Sequence, residues 1–135
     1  MIANPAGHNV IMVLPDLPPS INGLYDINAP NIHSNVSRIE IKAEWKLWRS
    51  SMQRYVKLLP IAPGSLVHVD LFFYYDFYYK NGRLKRLDTQ NLLSFAINTV
   101  AMKQEWDDAL CKSGSWGSAH EISKPRVIIR LIEIP

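Results

Sequence analysis

The sequence contains very little cysteine. Cys111 is its one cysteine, so neither an internal disulfide nor a zinc site built from several cysteines can form within the chain. A chain without disulfides is typical of a reducing compartment. The composition therefore predicts a cytoplasmic protein with no cysteine-based metal site.

Long hydrophobic runs are also missing. The first apolar run, Val10–Leu14, has five residues and no lysine or arginine before it. It does not have the form of a signal peptide, and it is far too short to span a bilayer. The aromatic run Leu71–Tyr79 is interrupted by Asp76. We therefore expect a protein without a membrane-spanning segment.

Several familiar catalytic motifs are absent from the sequence. It has no G-x-S-x-G elbow, no phosphate-binding glycine loop and no dinucleotide fingerprint, which argues against serine hydrolases, P-loop enzymes and Rossmann-type dehydrogenases. Its four histidines lack the spacing of metal ligands. Metal chemistry in this chain would therefore depend on carboxylate and amide oxygens, which favour magnesium or manganese over zinc.

The composition is that of a core-forming chain with a small excess of positive charge. Of its 135 residues, 47% are hydrophobic and 20% are charged, and the formal net charge is +3. This length and composition fit one domain, residues 1–135. The mild basicity is compatible with nucleic acid as a partner but does not require it.

Strands are predicted where apolar residues alternate or beta-branched residues cluster. Three segments have these patterns: Val10–Leu14, Leu66–Tyr79 and Val127–Ile134. In the middle segment the odd-numbered residues are all apolar or aromatic and fall on one face. Asn81-Gly82 follows and predicts a hairpin turn, because both residues accept a positive φ.

Two segments indicate helices. The first begins at Ser37-Arg-Ile-Glu40, which has the S-x-x-E form of a capping box, and its apolar stripe of helical period continues to Leu59. The second begins at Asp88, and Gln104–Trp116 is predicted to be a loop. The order of elements predicts an α+β domain, in which two helices cover a small mixed β-sheet.

Carboxylates flank the second predicted helix. Asp88 precedes it, and Asp107 and Asp108 follow it. Asp88 has two interpretations: an N-cap that accepts hydrogen bonds from the first turn, or a metal ligand. The aspartate pair has two as well, since such pairs often form solvated turns. A bound cation would, however, relieve the repulsion between the two carboxylates and their unfavourable position at a helix C-terminus.

Cations crowd the stretch before Asp88. Lys80, Arg83, Lys85 and Arg86 lie within seven residues. Such a cluster can bind phosphates and supply most of a salt-dependent affinity for DNA. The simpler alternative is a hairpin at the edge of a sheet that is kept soluble by its charge.

Three short motifs in order along the chain resemble the RusA-type Holliday-junction resolvases. They are L-P-P-S-I-N at 17–22, D-x-x-N at 88–91 and W-D-D at 106–108, before a C-terminal strand. The resemblance implies a RusA-like fold, a homodimer, and magnesium-dependent cutting of branched DNA such as a four-way junction. These proteins are often associated with phages.

The resemblance also implies roles for individual residues. Asp88 and Asp108 would hold Mg²⁺ or Mn²⁺, and Asp107 and Gln90 would assist them in catalysis. The DNA-binding residues would be Lys80, Arg83, Lys85, Arg86 and Asn22.

Two positions depart from the family pattern, D-x-D-N-x-x-K. Gln90 stands where the family has a second aspartate, and Ser94 stands where it has a lysine. Glutamine offers a neutral oxygen but no charge, and serine cannot stabilise a phosphate as lysine does. The alternative function is therefore a RusA-like protein that binds junctions without cutting them. A protein-interaction module without DNA affinity is a third hypothesis.

The length of the second helix constrains the metal site. A helix over most of 89–104 separates its ends by roughly 20 Å, whereas metal–oxygen bonds are about 2.0–2.6 Å long. Asp88 and Asp108 of one chain therefore cannot share an ion unless the helix breaks early or the loop after it folds back. We expect Asp88 of one subunit to meet Asp108 of another across a two-fold axis, giving two sites per dimer.

Overall fold

A computed structural model describes residues 8–19, 25–27, 39–41, 43–85, 87 and 89–135. The helices are α1 (Ala43–Met52) and α2 (Thr89–Gln104). The strands are β1 (Asn9–Leu14), β2 (Tyr25–Ile27), β3 (Ile39–Ile41), β4 (Leu66–Tyr75), β5 (Cys111–His120) and β6 (Arg126–Ile134). Within these ranges, no helix is long and apolar enough to cross a membrane.

The main sheet has four strands in the order β1-β6-β4-β5. β6 pairs antiparallel with both β1 and β4, whereas β4 and β5 are parallel. A parallel pair needs a connection that returns along the full length of the strand, and α2 provides this return. The predicted mixed α+β class, with a small sheet and two helices, is confirmed. β2 and β3 form a separate two-stranded sheet.

The hydrophobic core lies on one face of the main sheet. Alternation in β4 buries Val67, Val69, Leu71 and Phe73, as the sequence predicts. They share one cluster with residues of both helices, among them Trp48, Met52, Leu92, Ala96 and Val100. Because every strand residue of this cluster comes from the same face, both helices pack on that face. The other face carries the even-numbered side chains of β4.

The first helix begins later than the sequence predicts. Residues 39–41 form β3, which pairs antiparallel with β2, so Glu40 lies in a strand and the prediction of a capping box is wrong; Ser37 lies outside the described residues. The helix begins at Ala43 and ends at Met52, followed by a 3-10 turn over Gln53–Tyr55. Pairing of Ile39–Ile41 with another strand has overridden the local helix signal.

The predicted loop at Gln104–Trp116 is also wrong, because most of it belongs to α2 or β5. The serines and glycines of β5 do not indicate a strand, since they have low strand propensity. The structure shows why the glycines are there. A Cβ atom on Gly114 would lie 2.0 Å from the Val69 carbonyl oxygen, and one on Gly117 would lie 2.5 Å from the Phe72 ring. Close packing against β4 therefore requires small residues in this strand.

The predicted hairpin at Asn81-Gly82 is confirmed, but the strand before it is shorter than predicted. β4 ends at Tyr75 rather than Tyr79. The chain then turns at Gly82, which has a φ of +86°. A bridge between Tyr78 and Leu84 closes the hairpin. We refer to residues 77–85 as the basic hairpin.

Glu133 ties three parts of the fold together from the end of β6. Its carboxylate accepts hydrogen bonds from the backbone of Ala62 (2.6 Å), the hydroxyl of Ser65 (2.8 Å) and the backbone of His8 (3.2 Å). These donors, led by Ala62 and Ser65, lower the pKa of Glu133 to about 2. The side chain is buried, so the charge has little contact with water.

Replacement of Glu133 by glutamine should make the free energy of unfolding depend less on pH in the acidic range. A carboxylate with a lowered pKa stabilises the fold fully above its ordinary value of 4.5, and the contribution is lost as the pH falls towards about 2. Urea denaturation of wild type and Glu133→Gln between these pH values measures the difference. The variant should be less stable near neutral pH and should approach wild type at low pH. If the free energies of unfolding of the two proteins changed in parallel with pH, the lowered pKa of Glu133 would be contradicted.

Candidate metal and nucleic-acid site

The length of α2 sets the distance between the predicted metal ligands. Its 16 residues place its first and last residues roughly 22 Å apart. Asp88 directly precedes this helix in the sequence and lies outside the described residues. Asp107 and Asp108 follow its other end. The helix expected to separate Asp88 from Asp108 is therefore present. The pairing of Asp88 with Asp108 across subunits stays a prediction.

An unusual backbone conformation ends α2 and turns the chain away from the helix axis before Asp107 and Asp108. Glu105 has a φ of +62°, the left-handed region that glycine usually occupies. Its N–H donates to the carbonyl of Ala101 (2.9 Å), and that of Trp106 reaches the same oxygen. The chain thereby leaves the helix axis, and the Trp106 ring packs against the core. The next two residues, Asp107 and Asp108, are exposed.

The two aspartates differ in what they already bind. Asp107 caps the 3-10 turn Asp108–Leu110, because its Oδ1 accepts from the Ala109 N–H at 2.8 Å. One of its oxygens is therefore engaged. Asp108 begins the turn and is exposed, with its charge felt at Cys111. Asp108 is thus suited to direct metal contact, and Asp107 is suited to holding the turn that presents it.

Cys111 is shielded rather than reactive. Burial, and secondly the charge of Asp108, raise the pKa of the thiol to about 11. The thiol is consequently neutral at physiological pH, and the thiolate is the form that acts as nucleophile or metal ligand. This argues against a nucleophilic role for Cys111 near neutral pH.

Gln90 lies on the first turn of α2 and is exposed. This position is compatible with a role beside Asp88, but it does not test one. Arg86 and Asn22, both predicted to bind DNA, lie outside the described residues, as does Asp88. Their predicted roles stay predictions.

The basic hairpin presents cations and aromatic rings together. Lys80 and Arg83 are exposed, and the Lys85 ammonium lies 5.8 Å from the centre of the Tyr79 ring. None of the three cations forms an ion pair with another described residue. Tyr78 and Tyr79 are 45% and 55% exposed, and residues 77–85 contain no acidic side chain. The hairpin is therefore a positively charged surface with accessible side chains, as phosphate binding requires.

A polar network on the open face of the sheet was not predicted from the sequence. Asp70 accepts from Ser115 (2.6 Å), from Arg130 (2.7 and 3.1 Å) and from His68 (2.8 Å). His68 Nδ1 lies 2.8 Å from Ser113 Oγ. These hydrogen bonds, led by those from Ser115 and Arg130, lower the pKa of Asp70 to about 2. The network links β4 with both neighbouring strands.

The sequence contained only a weak signal for this network. His68 and Asp70 alternate on one face of a strand, but their partners are distant in sequence and two of them lie in the segment predicted to be a loop. The Ser–His–Asp connection is reminiscent of a hydrolytic triad. Asp70 is, however, fully engaged with the neighbouring strands, so we assign the network a structural role.

Within the described ranges, no group of three or more histidine, cysteine or acidic side chains is arranged to hold a metal ion. The predicted site needs Asp88, which is outside those ranges, and it needs a second subunit. The finding therefore leaves the prediction of a metal site as it was. It does show that Asp107 and Asp108 do not form a complete site with other described acids of the same chain.

Comparison with known proteins adds no family assignment. No protein-family model matches the chain, and no curated protein matches it. The resemblance to RusA-type resolvases therefore depends on the three short motifs alone. It enters the functional argument as a proposal.

Asp108 can be tested through its neighbour Cys111. Asp108→Asn removes a negative charge that raises the pKa of the thiol, so this pKa should fall. Ultraviolet absorbance of the thiolate as a function of pH measures it. Asp107→Asn is the matched control, because asparagine can still cap the turn and Asp107 is not among the causes of the shift. Equal shifts in both variants would contradict the assigned geometry.

Proposed function

We propose that the protein is a RusA-like, metal-dependent endonuclease that cuts branched DNA. The observation that carries this proposal is the exposed, acid-free basic hairpin immediately before Asp88 and α2. A surface that attracts phosphates therefore adjoins, along the chain, the carboxylate predicted to bind the metal. The exposed Asp108 beyond the far end of the same helix supports the second half of the site.

Carboxylate and amide oxygens are the donors that Mg²⁺ and Mn²⁺ prefer. Asp88 and Asp108 would hold the ion, and Gln90 would add a neutral oxygen. Asp107 acts one step removed, by capping the turn that carries Asp108. When bound, the ion supplies an activated water and stabilises charge on the scissile phosphate. Three carboxylates and one amide give a less negative site than the family pattern, so we expect weak metal affinity.

The DNA would be held by its backbone rather than by its base sequence. Lys80, Arg83 and Lys85 present long, flexible cations that suit phosphate contacts, which position a duplex without reading it. Arg86 and Asn22 would extend this surface. Selectivity would then come from the shape of a four-way junction and from two active sites related by two-fold symmetry.

The metal role is tested by cleavage of a synthetic four-way junction in Mg²⁺ and in Mn²⁺. We expect symmetrical nicks with the wild type. Asp88→Asn should lower the cleavage rate by at least roughly 100-fold, because loss of a residue that merely supports a metal ligand already costs up to about that much. Equal cutting by both proteins would refute the metal role. Junction binding without product in either metal would instead support the alternative, a protein that binds without cutting.

Mixed dimers test whether each site takes its ligands from two chains. A dimer of one Asp88→Asn chain and one Asp108→Asn chain would keep one intact site and lose the other. Mixing the two inactive variants should therefore restore single-strand nicking of the junction. If both carboxylates of a site came from one chain, the mixture would be as inactive as either variant alone.

The basic hairpin is tested by the salt dependence of junction binding. The slope of log K against log [salt] is about −0.9 for each phosphate neutralised. Replacing Lys80, Arg83 and Lys85 together by alanine should make the slope shallower by about 2 to 3 and weaken binding. Replacing Lys46, Lys57 and Lys124, which are exposed cations outside the hairpin, is the charge-matched control. Equal effects of the two triple variants would contradict a specific role for the hairpin.

A further inference from the structure

The basic hairpin has two faces with different chemistry. Its register is set by a hydrogen bond from the Tyr79 N–H to the Arg83 carbonyl at 2.8 Å and by the bridge between Tyr78 and Leu84. Side chains alternate between the two faces of paired strands, so Tyr79, Arg83 and Lys85 share one face. Tyr78 and Leu84 lie opposite each other on the other face. One face is therefore aromatic and cationic, whereas the other is aromatic and aliphatic.

Tyr79 is the more accessible of the two tyrosines, and it lies among the cations. It is 55% exposed, and the Lys85 ammonium lies 5.8 Å from the centre of its ring. Among the described residues, no other aromatic ring packs against it. Tyr78, by contrast, packs edge-on against the His120 ring, with the ring centres 5.3 Å apart. Tyr79 therefore exposes much of an aromatic ring that neither the core nor a neighbouring ring uses.

Two acidic side chains lie near the base of the hairpin, and both have partners. Asp76 accepts a hydrogen bond from the Tyr78 N–H at 3.0 Å, and its Oδ1 lies 3.7 Å from His120 Nδ1. Glu121 forms an ion pair with Arg126. The three cations of the hairpin have no such ion pair within the described ranges. Of the two acids only Asp76 offsets these cations, so an excess of positive charge remains on the hairpin.

We propose that the cationic face of the basic hairpin binds single-stranded nucleic acid. An unpaired base stacks on the Tyr79 ring, and Arg83 and Lys85 contact the phosphates on either side of it. Exposed aromatic rings beside cations are the usual means by which proteins hold single strands without reading their sequence. This site goes beyond the proposed function, which needs only phosphate contacts with paired DNA.

The ring is what makes an unpaired strand the ligand. Phosphate contacts alone would serve a duplex and a single strand equally. In a duplex each base is already stacked between its neighbours, so Tyr79 could stack on one only at the cost of unstacking it. A single strand offers a free base face together with a phosphate at every nucleotide, and so uses both the ring and the cations.

The site is tested by fluorescence anisotropy with a labelled dT15 oligonucleotide and a labelled 15-bp duplex, in EDTA. Tyr79→Leu should weaken binding of dT15 by roughly 5- to 150-fold, the loss of one stacked base, and should leave duplex binding unchanged. Tyr79→Phe keeps the ring and should bind dT15 as the wild type does. No binding of dT15 by the wild type, or equal losses for dT15 and the duplex, would overturn the proposal.

Tyr78→Leu is the matched control, because it removes the same kind of ring from the other face. Its circular dichroism spectrum and its affinity for dT15 should match those of the wild type. If it weakened binding of dT15 as much as Tyr79→Leu does, the assignment of the site to the cationic face would be wrong.

Salt dependence and a strand without bases separate stacking from charge. For single strands the slope of log K against log [salt] is about −0.7 for each phosphate neutralised. Tyr79→Leu should leave this slope unchanged, whereas replacing Arg83 and Lys85 together by alanine should make it shallower by about 1 to 1.5. A 15-mer of abasic sites should bind wild type and Tyr79→Leu equally. A weaker affinity of Tyr79→Leu for the abasic strand, by the same factor as for dT15, would refute stacking.

Comparison of dT15 with rU15 identifies the kind of strand. Binding of either one that depends on Tyr79 sustains the proposal and shows whether DNA, RNA or both are ligands. An anionic membrane would also suit a hairpin with cations and exposed tyrosines. Binding to phosphatidylserine vesicles, with no binding to either oligonucleotide, would replace the proposal by a membrane contact.

The outcomes are independent of the enzymatic activity, since these assays contain neither a junction nor a metal ion. A protein that binds single strands through Tyr79 and cuts no junction would sustain this site and refute the nuclease. A protein that cuts junctions and binds no single strand would do the reverse.

Discussion

The parallel pairing of β4 with β5 is the constraint on which the rest of the structure depends. Parallel neighbours cannot be joined by a tight turn, so the chain must travel back along the whole sheet between them. α2 makes that journey, and its 16 residues hold the segments before and after it at opposite ends of the domain. Asp107 and Asp108 thereby follow the end of α2 that is farthest from its first residue, Thr89.

Charged side chains of the described residues gather at both ends of the same axis. The basic hairpin follows β4 at the end where α2 begins, and the acids at 105, 107 and 108 follow α2 at the other end. Lys103 and Lys112 lie in the sequence beside those acids, so the positive charge of the basic hairpin is the less balanced of the two. This end is the one that would attract an anionic polymer under the proposed function.

The sequence predicts well those features that local patterns determine. Alternation in β4 identifies its buried face, and the Asn81-Gly82 turn and the second helix are found where the residues indicate. Prediction from the sequence fails where pairing between distant segments determines the structure. Ile39–Ile41 resemble the start of a helix until β2 pairs with them, and the serines and glycines of β5 have no strand preference of their own. For the same reason the Asp70 network could not be predicted, whereas the exposure of Asp108 and the basic hairpin could.

Glu105 lowers the stability of the protein at the acidic end of α2. A residue with a side chain in the left-handed region costs roughly 1–2 kcal/mol relative to ordinary backbone, and a negative charge at a helix C-terminus is unfavourable by a further few tenths of a kcal/mol or more. Glycine would remove both penalties, and lysine would reverse the second. Selection for stability alone would therefore drive this position away from glutamate, which makes its identity in related sequences a measure of whether the acidic end serves a function.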